Sequence, residues 1–406
     1  MNTNNQPGPK RPFQVMYWRP KKISRTWLWC SMFVSLAGMA AVEHLPKRTT
    51  SGDQETLLAA ATDAQSSMQF IAEMQTEKGH RVLSALDPQA SHLIGPSMSM
   101  VTSKIGSLPS KQTSINPNFA AVVVRWLSDA GVKSGDRVAI GASGSWPALN
   151  IAVYSAVKTM NLRPTVILSA GSSQYGANSP DMMWVDMERE LHSAGLTSIK
   201  ASAASMGGLH DRAAGMTTVT RQLLLDAIER NSVELIESPT IAESIDQRMQ
   251  RYDSKSHDKA YAAYINVGGS SASIGGTLGQ EFYLPGVSSA KSVNANSLAD
   301  VPDCVATRML ARNVPVVHVG NAQKVAEDYE FPVAPVVMPN VGEGLVYGKT
   351  VYRIPLVASV MVLITFAMSW IVLPGWPIRV WRAIRPISTA QDICPTSIPA
   401  NLEWMA

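Results

Sequence analysis

The chain is poor in cysteine and in charge, and both shortages exclude classes of protein. Its 406 residues include only three cysteines, Cys30, Cys304 and Cys394, each in a different predicted segment. We therefore expect no disulfide within one segment and no zinc site built from cysteines. The net charge of +4 is concentrated at the two ends, so the mildly acidic middle gives no reason to expect nucleic-acid binding.

The chain also lacks the short motifs that carry well-known chemistry. It has no GxxxxGK[ST] phosphate loop, no HExxH or CxxC metal motif, and no GxSxG nucleophile motif. Without a complete catalytic motif, the sequence predicts no catalytic residue, no metal and no cofactor. It favours a protein that is not an enzyme but leaves that question open.

What the chain does contain is a long apolar run near each end. The first is Trp27–Val42, and the second, Ile354–Leu373, has no charged residue. A hydrocarbon core about 30 Å thick takes about 20 apolar residues to cross. Lysines and arginines precede the first run and arginines follow the second, which predicts that both chain ends are cytoplasmic. A cleaved signal peptide is the alternative for the first run, although its long basic leader favours a retained anchor.

These features predict a two-pass protein of the cytoplasmic (inner) membrane with its main domain outside. Within that outer domain we expect a helical and loop region at 44–117 and an α/β core at 118–338. The full predicted order is a basic cytoplasmic arm (1–25), a transmembrane helix (26–43), the extracytoplasmic domain (44–349), a second transmembrane helix (354–373) and a cytoplasmic tail (374–406).

Between the apolar runs, strand patterns alternate with helix patterns. The segments Asp136–Gly141 and Pro164–Ser169 are short and apolar, as buried strands are, and the helical pattern Ala148–Met160 separates them. This βαβ spacing predicts a Rossmann-like parallel sheet with flanking helices. Two further strands are predicted, at Ala260–Val267 and Val314–Val319.

Three loops rich in serine and glycine each follow a predicted buried strand, at Gly141–Asn150, Ser169–Asn178 and Gly268–Gly276. Because parallel strands end at one edge of a sheet, we expect these loops to flank one cleft. Serine hydroxyls and helix N-terminal amides suit a phosphate or carboxylate, whereas tight turns without a ligand are the alternative. Acidic residues that follow are expected at the rim, binding a cation or positioning water. The candidate ligand-binding residues are Ser143, Ser145, Asn150, Ser172, Ser173, Asn178, Asp186, Glu188, Ser270 and Ser271.

Several longer segments resemble the bacterial poly-γ-glutamate system protein family. The resemblance covers roughly Leu57–Met338 and includes TSINPNFAAVVVRWL, AGVKSGDRVAIGASGSWPALNIAV, LRPTVILSAGSSQYGAN and WVDMERELHSAGL. It implies a membrane accessory component of poly-γ-glutamate synthesis or export, for a capsule or a released polymer. The implied partners are the poly-γ-glutamate synthase, its small membrane partner and the anionic polymer. The resemblance brings no catalytic residues with it.

The GASGS segment is also similar to the phosphosugar loop of sugar-isomerase domains. That similarity is short, and it implies a different class of function. The alternative is therefore an extracytoplasmic hydrolase, transferase or phosphosugar-binding domain that acts on a polymer or sugar of the cell envelope.

The predicted topology can be tested with reporter fusions. A reporter fused after Ser51 is expected to lie outside the cytoplasm and one fused after Ala406 inside it, because both apolar runs have their cations on the same side. Compartment-specific activity of the two fusions measures this directly. Cytoplasmic activity from the Ser51 fusion would contradict the topology.

Overall fold

The computed structural model describes residues 25–45, 47–50, 53–256, 260–290 and 301–372. The chain forms two compact units, one of residues 49–349 and one from the two ends of the chain, up to residue 48 and from residue 350. Apart from Arg25, the predicted basic arm and the predicted cytoplasmic tail lie outside the described residues.

A seven-stranded sheet forms the centre of the larger unit. In chain order its strands are β1 (Arg137–Ser143), β2 (Arg163–Ser169), β3 (Ala203–Ser205), β4 (Glu234–Ile236), β5 (Ala263–Val267), β6 (Gly286–Ser288) and β7 (Val316–Val319). The strand order across the sheet is β6-β7-β5-β1-β2-β3-β4, and neighbouring strands are parallel except for β6 and β7. The predicted α/β fold with a mostly parallel sheet and flanking helices is confirmed.

Helices pack on both faces of this sheet. Successive residues of β1 point to opposite faces, so Val138 and Ile140 join one buried apolar cluster while Ala139 joins another. The helices are α1 (Arg25–His44), α2 (Gln54–Glu77), α3 (Leu108–Ser114), α4 (Phe119–Asp129), α5 (Pro147–Thr159), α6 (Trp184–Ser193), α7 (Thr218–Arg230), α8 (Ile241–Ser256), α9 (Ser271–Ile274), α10 (Gly276–Phe282), α11 (Val305–Ala311), α12 (Ala322–Tyr329) and α13 (Ile354–Val372). Helices α2, α4 and α5 contribute to the first cluster, and α8, α9 and α11 contribute to the second.

Short elements complete the larger unit and its borders. Ser172–Ser173 pairs in parallel with Thr102–Lys104, and Asn178–Ser179 pairs antiparallel with Met182–Met183. Two more strands lie at Lys47–Thr50 and Gly348–Val351, and single 3-10 turns lie at Leu209–Asp211 and Leu345–Tyr347.

The smaller unit contains α1 and α13, which pack against each other. A Cβ atom built on Gly38 would lie 2.5 Å from Val360 Cγ1, so glycine is what permits this close approach. Large apolar side chains on both helices are exposed, among them Trp29, Phe33 and Val362. Within the residues that the structure describes, no helix combines the length and the apolarity that crossing a bilayer requires.

A buried carboxyl group joins α6 to the core of the larger unit. The Tyr154 hydroxyl donates to Glu188 Oε1 at 2.5 Å, and the Ala201 amide donates to Glu188 Oε2 at 2.9 Å. Burial raises the pKa of Glu188 from 4.5 to about 7, although both hydrogen bonds act in the opposite direction. Glu188 therefore titrates near neutral pH without being in contact with solvent.

Replacing Glu188 with glutamine is expected to flatten the pH dependence of stability. The folded-state pKa of about 7 lies above the ordinary value of 4.5, so the stabilisation present below pH 4.5 is lost as the pH rises towards 7. Over the whole window, the free energy of unfolding is expected to fall by about 3 kcal/mol. Glutamine does not titrate, so Glu188→Gln should gain stability relative to the wild type across this window.

Urea unfolding at a series of pH values measures this difference. Glu73→Gln is the matched control, since Glu73 lies exposed on α2. The free energy of unfolding of Glu188→Gln is compared with that of the wild type at about pH 4.5 and about pH 8. If the difference is the same at both pH values, the raised pKa of Glu188 is contradicted.

Candidate functional site

A cavity of about 550 Å³, here called the edge cavity, opens at the carboxyl edge of the central sheet. The segments that follow β1, β2, β3 and β5 all contribute to its wall, as expected for parallel strands. Five of the predicted ligand-binding residues line it: Ser143, Ser145, Ser173, Ser270 and Ser271. The structure therefore brings the three predicted loops together around one space.

Two of these serines also support the loops in which they lie. The Ser145 amide donates to Ser143 Oγ at 3.2 Å, and the Ser173 amide donates to Ser145 Oγ at 3.0 Å. The turn interpretation and the binding interpretation are thus compatible. Since both hydroxyl oxygens act as acceptors in these bonds, their hydroxyl hydrogens stay available to donate to a ligand.

Three other predicted residues are buried behind the wall of the edge cavity. Asn150 Nδ2 donates to the Ser143 carbonyl at 2.9 Å, and Ser172 Oγ donates to the Ser173 carbonyl at 3.0 Å. Asn178 Nδ2 donates to Thr102 Oγ1 at 2.9 Å. All three side chains shape the loops and do not line the cavity.

The predicted position of the two acidic residues at the rim is wrong. Asp186 accepts hydrogen bonds from Arg230 Nε at 2.8 Å and from the Met183 amide at 2.9 Å, so it caps α6 and joins that helix to α7. Glu188 contacts Tyr154 in the core, as described above. Each is only 1% exposed, because each carboxylate is buried against its own hydrogen-bond donors, Asp186 beside α7 and Glu188 beside α5.

Two lysines that the sequence analysis did not single out line the edge cavity, Lys104 and Lys111. Lys111 lies on α3, is 3% exposed, donates from Nζ to the Ser145 carbonyl, and has that Nζ 3.6 Å from the ring centroid of Trp146. Burial, and to a smaller extent the charge of Lys104, hold the pKa of Lys111 well below its usual range. No acidic side chain is among the described residues that line this cavity.

Both lysines lie within 44–117, which was predicted as a region of helix and loop. Instead, Thr102–Lys104 is a strand that pairs with Ser172–Ser173, and α3 follows it with Ser107 as its N-cap. The Ser110 amide donates to Ser107 Oγ at 3.4 Å. Serine before the Leu-Pro start of a helix was the available signal, because proline favours the first helical turn.

An ion pair without solvent access lies beneath the floor of the edge cavity. Arg248 Nη2 is 2.9 Å from Asp211 Oδ2, and both side chains are buried. The same nitrogen donates to Ser169 Oγ at 3.1 Å, and Ser169 lines the cavity. The sequence pattern of Ser205–Arg212 favours a surface loop, so it does not predict that Asp211 is buried, and no local pattern gives Arg248 a role.

Comparison with known proteins adds little to this geometry. No family model and no curated protein matches the chain. Among solved structures, one similarity is to an archaeal alanine:glyoxylate aminotransferase, with 12% identity over 89% of this chain and 70% of that chain and a TM-score of 0.15. A similarity this low carries no argument about fold or function.

The lining of the edge cavity is rich in hydrogen-bond donors and includes two lysines. Lysine ammonium groups and serine hydroxyls are donors to carboxylate and phosphate oxygens, and charge-assisted hydrogen bonds are the stronger kind. None of the described residues that line the cavity carries a carboxylate, so the cavity wall does not repel a bound anion. The cavity is therefore suited to carboxylate or phosphate groups.

Replacing Lys111 with methionine is expected to leave the protein as stable as the wild type or more stable. A buried ammonium carries a desolvation cost that methionine avoids at similar volume. The same substitution should weaken anion binding. Thermal unfolding and a titration with a short γ-linked glutamate oligomer measure the two properties separately.

The control for this substitution is Lys133→Met, which removes an exposed lysine outside the edge cavity. Its effect on oligomer binding should be small. A Lys111→Met protein that unfolds at a much lower temperature would instead assign Lys111 a structural role.

Proposed function

We propose that this protein is a membrane-anchored accessory component of poly-γ-glutamate synthesis or export, and that it holds carboxylates of the polymer in the edge cavity. The observation that carries the proposal is the presence of Lys104 and Lys111 on one serine-lined cavity without an acidic lining residue among those described. The resemblance of the sequence segments to the poly-γ-glutamate system family supplies the identity of the polymer.

The charge of the cavity fits a polymer in transit. Poly-γ-glutamate is a chain of carboxylates, and two lysines provide local attraction without a large basic surface. Because Lys111 is desolvated and has a lowered pKa, its full charge develops best when an anion is present. Modest affinity follows from this arrangement and permits release, which an export or synthesis accessory needs.

Membrane anchoring is part of the same proposal. Helices α1 and α13 correspond to the two apolar runs, and side chains such as Trp29 (66% exposed) and Phe33 (72% exposed) face outwards. Exposed apolar side chains in this number are typical of surfaces that contact lipid or another protein. We propose two spans, with both chain ends cytoplasmic and the α/β unit outside.

One observation favours an enzyme as the second candidate. Lys111 donates from Nζ to the carbonyl of Ser145, and both residues line the edge cavity. Serine with a lysine base is a known variant of nucleophilic catalysis. A hydrolase or transferase acting on the polymer, or on a phosphosugar, would use Ser145 as nucleophile and Lys111 as its base, which requires Lys111 Nζ to move from the main-chain carbonyl of Ser145 to the hydroxyl of the same residue.

Deletion of the gene followed by complementation tests the proposal and separates the two candidates. Polymer amount, length and location would be measured in cells and medium after complementation with wild type, Lys104→Gln/Lys111→Met, Ser145→Ala or Lys133→Met. We expect the double lysine variant to lose polymer output, and the Lys133→Met control to restore it.

The Ser145→Ala variant decides between an accessory and an enzyme. An accessory keeps most of its function without one hydroxyl, whereas an enzyme with this nucleophile loses all turnover and changes polymer length. Unchanged polymer amount, length and location in the deletion strain would overturn the proposed function altogether.

A further inference from the structure

Lys111 is a buried cation without a carboxylate partner. Its Nζ donates to the main-chain carbonyl of Ser145 and lies 3.6 Å from the centroid of the Trp146 ring. Within the part of the chain that the structure describes, no aspartate or glutamate forms an ion pair with this ammonium group. A buried charge needs a compensating partner. One carbonyl and one aromatic ring provide it here, so the ring is part of what makes a cation at this position possible.

An aromatic ring suits a cation that must remain free to bind an anion. The face of a tryptophan ring carries partial negative charge and attracts an ammonium group. A carboxylate in the same place would neutralise Lys111 and compete with an anionic ligand, whereas the ring and the carbonyl carry no net charge. The ammonium group has three N–H donors and the Ser145 carbonyl accepts one of them. Donors therefore remain for a ligand in the edge cavity, which Lys111 and Trp146 both line.

Gly268 determines where the ring of Trp146 can lie. A Cβ atom built on Gly268 would lie 2.6 Å from Cδ1 and 3.0 Å from Nε1 of that ring, closer than real side chains approach. The Gly268 amide donates to the Val319 carbonyl at 3.0 Å, so the backbone at the end of β5 is held against β7. A side chain at position 268 would therefore push the ring away and would not move the sheet.

We propose that Trp146 is the positioning residue of the edge cavity: its ring holds the Lys111 ammonium group for a bound anion, and Gly268 leaves the space in which the ring lies. The inference deepens the proposed function and rests on it where the anion is a carboxylate of the polymer. Trp146 acts through Lys111, so the affinity for any anion that binds Lys111 should depend on the ring.

Calorimetric titration of the full chain in detergent micelles tests the role of the ring, with a short γ-linked glutamate oligomer and inorganic phosphate as probes. Trp146→Leu is expected to weaken the binding of both probes about fivefold, and Trp146→Phe, which keeps a ring, only about twofold. Trp126→Leu is the matched control, since Trp126 is buried outside the edge cavity, and it should leave both affinities unchanged. When Lys111→Met is already present, Trp146→Leu should cause no further loss, because the ring acts through the ammonium group.

Gly268→Ala tests the same role without changing any side chain that lines the edge cavity. Because it displaces the ring, it should lower the affinity for both probes, as Trp146→Leu does. Gly135→Ala is the matched control: Gly135 has a φ of 85°, close to the 81° of Gly268, and a Cβ atom there would meet nothing within 4 Å. This control carries the same backbone strain and should leave both affinities unchanged. Thermal unfolding shows whether Gly268→Ala is folded, and if it is not, the Trp146 variants decide.

The outcomes separate this inference from the proposed function. Equal affinities of the wild type and Trp146→Leu, or a further loss when Trp146→Leu is added to Lys111→Met, would overturn the inference and leave the proposed function standing. If the wild type binds phosphate but not the oligomer, the proposed function fails, and the phosphate affinities of the same variants decide the inference. If the wild type binds neither probe, both are overturned.

Discussion

The buried ion pair between Arg248 and Asp211 is the interaction on which the carboxyl edge of the sheet depends. It joins α8 to the turn after β3, and through Ser169 it reaches the end of β2. Ser205 and Ser244 donate to the same carboxylate at 2.7 and 2.6 Å, so the charges are both paired and hydrogen-bonded. Removing one partner of such a pair typically costs about 3–5 kcal/mol, because the other charge stays buried.

The pair also holds an unfavourable backbone in place. His210 and Asp211 have φ values of 54° and 58°, in the left-handed region where residues other than glycine are strained. Gly207 and Gly208, at φ 73° and 70°, form the turn that leads into them. Because Gly208 and Ser169 line the edge cavity, the shape of its floor follows from how firmly this turn is held.

Much of the sheet was predictable because its central strands are buried on both faces. The runs DRVAIG and PTVILS correspond to β1 and β2, and the helix between them, predicted at Ala148–Met160, is Pro147–Thr159. The three-residue strands β3, β4 and β6 were not predicted, since three residues are too few to show a period. The loop Gly268–Gly276 proved to contain the short helix α9 and the start of α10, because Gly275 ends the first helix in a left-handed conformation and caps the second.

The candidate site was predictable only where it follows from sheet topology. Parallel strands bring the ends of β1, β2 and β5 together, and the serines at those ends line one cavity. Lys111 and Arg248 belong to elements that reach the site through tertiary packing, which no local pattern encodes. Asp186 and Glu188 were predicted at the rim of the cleft, but both are buried. Acidic residues near a helix start occur both in contact with solvent and in contact with protein donors, and the sequence pattern does not distinguish the two.

The central sheet ends in very short strands on both sides, β6 and β4, each of three residues. An edge of this length presents few unpaired backbone groups, and β6 also runs opposite to its neighbour. Strand addition by another chain needs a longer free edge. The central sheet is therefore poorly suited to edge-to-edge pairing, so recognition of a peptide or polymer at this sheet would depend on side chains and loops and not on extension of the sheet.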